Sequence, residues 1–138
     1  MIKHIHYNLP IWRADICLYI GPWDKFMEHL SSSHKLKDSL AKNPNHGAMS
    51  MRLEEHSSGI TTDYVMWMPE FSFKVHEYTA LAHETLHIVC YILDDRGVVY
   101  EDDAKEVLTY TFDAVYEYML NKLFKEYKNT PQNLGNLT

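Results

Sequence analysis

The chain has 138 residues, 46% hydrophobic and 23% charged, with 13 Lys plus Arg against 19 Asp plus Glu and two Cys. That length supports one domain with its own core, the cysteine count excludes a four-cysteine zinc module, and Cys17 and Cys90, in apolar contexts far apart, suit reduced, buried thiols better than a secreted disulfide framework. A net charge of −6 without a dense basic cluster gives little counterion-release drive, and no apolar run reaches the roughly 18 residues of a membrane span; neither nucleic acid nor membrane is an expected partner.

Taken in chain order, the elements read as α+β, with a strand-forming front half and a helical back half. The start, Met1-Ile2-Lys3-His4-Ile5-His6, is too short and polar for a signal peptide's apolar region, so a soluble cytoplasmic protein is expected. Residues Ala14–Ile20 are β-rich and stop at Gly21-Pro22, after which Trp23, Phe26, Met27 and Leu30 keep helical spacing. Residues 31–47 are polar and broken by Pro44 and Gly47, and read as loop with one helical turn near 35–40. Residues 48–54 alternate apolar and polar, Ser57-Ser58-Gly59 supplies a turn, and Thr61–Met68 is β-rich up to Pro69; together they predict a hairpin.

Over Val75–Asp95 an apolar stripe runs through Leu81, Leu86, Val89, Ile92 and Leu93, with Gly97 as the helix-ending residue. A second long helix follows, capped by Asp102 or Asp103 and carrying Ala104, Leu108, Phe112, Val115, Met119 and Leu123 at 3.6-residue spacing up to residue 128. Residues 1–128 thus form one domain, and 129–138, rich in Asn with a Pro and a Gly, read as a flexible tail.

The first long helix contains His83-Glu84-Thr85-Leu86-His87, the H-E-x-x-H pattern. Residues four apart stack on one helix face, so both imidazoles can converge on one metal ion while Glu84 faces a bound water. With nine His and ten Glu in the chain, the pattern arises by chance only about 0.04 times. One zinc ion on His83, His87 and a carboxylate keeps an open position for water, with Glu84 as general base. Glu106, 19 residues after His87 and in the first turns of the second helix, is the expected third ligand, ranked above Asp102 and Asp103, which have ordinary capping roles.

Other constellations carry less. His76 lies about 10 Å up the helix axis from His83 and is read as a rim or exposed residue. His4-x-His6 reads as a solvated pair. Glu84-x-x-His87 is half of a di-iron signature whose second copy is absent. A mononuclear iron site would use the same ligands, but an intervening Glu favours hydrolytic zinc chemistry. Tyr64, Trp67, Phe71 and Phe73 read as core aromatics.

The stretch 78–93 with its H-E-x-x-H core, the Asp-Asp-Arg-Gly turn at 94–97 and Glu106-Val107-Leu108-Thr109-Tyr110 resembles small H-E-x-x-H proteins encoded in bacteriophage genomes. These in turn resemble zincin metallopeptidases of gluzincin type. The resemblance spans about residues 60–120 and is specific at four positions, to which it carries the family's roles: zinc ligands His83, His87 and Glu106, and general base Glu84. It implies a zincin-like fold, a small N-terminal sheet packed on two long C-terminal helices, with an edge strand within 48–68 able to pair with an extended peptide. Tyr110 stands where thermolysin-like members have an Asp that orients a ligand histidine. The function implied is a zinc-dependent metallopeptidase or other amide hydrolase acting on peptide or protein, in the host cytoplasm if phage-encoded. The alternative is a non-catalytic phage accessory or virion-associated protein in which a metal staples the two long helices.

Overall fold

Four β-rich segments pair into one sheet: β1 (Lys3–Leu9), β2 (Ala14–Ile20), β3 (Met49–Glu54) and β4 (Thr61–Met68), in the order β1-β2-β4-β3. The computed structural model describes residues 2–31, 47–54, 61–99 and 101–128. The predicted loop and helical turn within 32–46, the turn at 57–59 and the tail at 129–138 lie outside these. β1 and β2 form an antiparallel hairpin around a 3-10 turn at Pro10–Trp12, β2 and β4 run parallel, and β3 pairs antiparallel with β4. A parallel pair cannot be closed by a tight turn, and the crossover from β2 to β4 contains helix α1 (Trp23–Ser31).

Side chains alternate across a strand, so the sheet has two distinct faces. Ile16, Leu18, Tyr64 and Met66 point into the main core, shared with the two long helices α2 (Val75–Asp95) and α3 (Asp102–Leu123). Tyr19, Val65 and Trp67 point the other way, onto Phe26 and Leu30 of α1. The architecture is therefore α+β, a mixed four-stranded sheet with two long C-terminal helices on one face and a short helix on the other.

β1 and the parallel pairing exceed the sequence reading. The β1 signal was present, since Ile5 and Leu9 are buried while His4, His6 and Asn8 are exposed. The parallel partner was not legible, because register between distant strands leaves no local pattern. The expected hairpin of β3 and β4 is observed, and Tyr64 and Trp67 are core residues, 0% and 4% exposed.

Helix α2 ends as predicted at Gly97, whose φ of 72° is left-handed. Gly97 N–H donates to Asp94 O and Val98 N–H to Leu93 O, the paired reversal that satisfies carbonyls at a helix end. Helix α3 departs from expectation at its start, where Glu101 rather than Asp102 or Asp103 holds the cap position, with no side-chain cap bond. The two aspartates occupy the first turn, where carboxylates meet the positive end of the helix dipole. α3 is α-helical to Leu123 and continues as a π-helical segment, Phe124–Lys128. Among the described residues no helix is long and apolar enough to cross a membrane.

Candidate metal centre

Helix α2 buries Leu81, Glu84, Thr85, Ile88 and Ile92, a stripe at helical spacing that fixes its rotation on the sheet. That rotation leaves His83 and His87 exposed. Their Nε2 atoms stand 3.1 Å apart, with ring centroids at 4.7 Å and planes at 76°. Two imidazole nitrogens on one tetrahedral zinc at about 2.0–2.1 Å would be separated by about 3.3–3.4 Å, so the observed separation is close to the bite of a single ion.

Glu84, one position on and about 100° round the helix, turns inward and is 6% exposed. It lines a cleft of about 430 Å³ between the residues entering β3, the end of β4 and the N-terminal half of α2. Ala48, Met68 and Ala80 line it with apolar surface, while Glu70, His76 and His83 are exposed at its mouth. His76 thus occupies the rim position read from its spacing.

The two buried glutamates of α2 differ in their surroundings. Glu77, 3% exposed, accepts hydrogen bonds from the backbone N–H groups of Ser72 at 2.8 Å and Lys74 at 2.9 Å, and from the Ser72 hydroxyl. It serves the helix N-terminus, where orphan donors need an acceptor. Glu84 has no hydrogen bond or ion pair among the described residues, and its carboxylate faces the cleft. Glu84 is enclosed as a residue, yet among the described residues no fully buried side-chain oxygen lacks a hydrogen-bond partner, so its carboxylate keeps solvent contact where a water or a ligand can meet it.

Sequence reasoning missed two residues beside the pair. Tyr91, one turn beyond His87, lies nearly parallel to its ring at 6.2 Å and 23°. Arg52 of β3 covers the same tyrosine at 4.3 Å from the ring centroid. The spacing from His87 to Tyr91 was a readable signal; Arg52 comes from a distant strand and was not.

Glu106 is not brought to the histidines. It lies nine residues before Val115, so the two are about 180° apart on α3; Val115 is fully buried and Glu106 exposed. The flank of α2 toward α3 is marked by Tyr78, whose carbonyl accepts from the Tyr116 hydroxyl at 3.3 Å. His87 follows Tyr78 by nine residues and is likewise about half a turn away. Both Glu106 and His87 are exposed. Among the described residues no three His, Cys, Asp or Glu side chains form a group able to hold a metal. Asp102 and Asp103 are also exposed.

No family model, curated protein or solved structure matches this chain.

Proposed function

We propose that the protein is a metal-dependent amide hydrolase, with His83 and His87 holding a zinc ion and Glu84 serving as general base. The observation that carries this reading is the 3.1 Å approach of the two Nε2 atoms on the helix that also carries Glu84, a largely enclosed residue whose carboxylate keeps solvent contact in an open cleft. A zinc ion bound there supplies Lewis acidity and makes hydroxide available near neutral pH. Glu84 takes the proton from the attacking water and returns it to the leaving nitrogen. The apolar cleft surface excludes water from the substrate group beside the reacting carbonyl. The resemblance of the motif to the gluzincin-type proteins of bacteriophage genomes favours a peptide as substrate. Glu106, on the outer face of α3, is not assigned to the metal.

A second reading is a non-catalytic accessory protein in which the two histidines share an ordinary hydrogen bond. It is favoured by the lack of a third ligand among the described residues. Zinc titration of the metal-free full-length chain, followed by elemental analysis, separates the two. About one zinc per chain, lost in His83→Ala and in His87→Ala while circular dichroism stays unchanged, is the expected result. No bound zinc after supplementation would overturn the metal reading and leave the second.

A further inference from the structure

We infer that the cleft beside His83 is a selectivity pocket for a basic side chain, the lysine or arginine of a peptide. The inference rests on reading this cleft as the substrate site of the proposed hydrolase. Three observations point to such a ligand. The inner surface, with Ala48, Met68, Pro69 and Ala80, is apolar and suits a long methylene stem. Among the described residues the lining includes Glu70, Glu77 and Glu84 but no Lys or Arg. Glu77 is engaged at the helix N-terminus, whereas neither Glu70 nor Glu84 has a hydrogen bond or ion pair among the described residues.

Glu84 decides between occupants. At 6% exposure its contact with water is through the cleft, and a wholly apolar group would remove that water from an unpaired carboxylate. That desolvation is unfavourable. An acidic group would add repulsion. A cationic head offsets both effects, with its stem along Met68 and Ala80, its charge at the exposed Glu70 carboxylate, and the charge of Glu84 contributing to the same field.

The test compares N-acetyl-lysine amide with N-acetyl-norleucine amide, which keeps the stem and lacks the ammonium. Both are titrated into the isotopically labelled full chain, with and without zinc, while backbone NMR shifts are followed. The lysine probe should shift Ala48, Ala80 and Glu84 and bind roughly tenfold tighter than norleucine, and Glu70→Gln should weaken it roughly fivefold. Equal binding of the two probes, shifts confined to another surface, or indifference to both Glu70→Gln and Glu84→Gln would overturn the inference. Melting curves of both variants check that they remain folded. The probe reads the pocket without turnover, so lysine binding in a chain that takes up no zinc supports the pocket while removing the hydrolase reading.

Discussion

Tyr64, fully buried in β4, donates a 2.6 Å hydrogen bond to Oδ2 of Asp95, the last residue of α2. The other carboxylate oxygen accepts from Arg52 Nη1 at 3.0 Å. The end of the histidine-bearing helix is thereby tied to two neighbouring strands. Tyr64→Phe removes the first bond and leaves the second. Because bonds to charged groups contribute more than neutral ones, a loss of about 1–2 kcal/mol in unfolding free energy is expected. Urea denaturation measures it; unchanged stability would mean that the bond adds nothing.

Glu84→Gln keeps shape but cannot accept a proton. Hydrolysis should fall by at least about a hundredfold, the usual scale of general-base catalysis, while zinc content stays at the wild-type level. Turnover of a fluorogenic peptide pool alongside elemental analysis provides the check. Retained activity takes Glu84 out of the mechanism.

Glu106→Gln tests the third ligand directly. From its position opposite Val115, zinc affinity should stay within about twofold of wild type, whereas loss of a true ligand or of a group orienting one costs tenfold or more. Competition with a chelating dye reads the difference. A tenfold loss would restore Glu106 to the site.

Alkaline stability follows from the face of the sheet beneath α1. Burial pushes the Cys17 thiol from the ordinary 9.0 up to about 11, and the Tyr19 hydroxyl from 10.0 to about 12. Tyr64, on the opposite face of the sheet, moves the same way, through burial and then its bond to Asp95. The folded state thus holds these protons longer than the unfolded chain does. The associated stability is complete below about pH 9 and is lost as pH rises through 11 and 12. Melting temperature should therefore fall between pH 9 and pH 11, and less steeply in Cys17→Ser. A flat profile would contradict the burial.

Periodicity and spacing determined a large part of this protein. The apolar stripe of α2 apart from Leu86, which is 46% exposed, its glycine end at Gly97, the β3–β4 hairpin and the placement of His83, Glu84 and His87 on neighbouring turns are local properties, fixed by about 3.6 residues per turn or by alternation along a strand. Even the β1 signal lay in the alternation of Ile5 and Leu9 with polar neighbours. What tertiary structure decided concerns rotation and register. The stripe of Ala104, Leu108, Val115 and Met119 sets Glu106 on the opposite side of α3, and only the packing of that stripe into the core decides which face of α3 the histidines of α2 could meet. The parallel pairing of β2 with β4, the approach of Arg52 to Tyr91 and the joining of Ala48, Met68 and Glu84 in one cleft depend likewise on distant segments. Such contacts are set by the burial of whole faces, a property no short window of sequence contains.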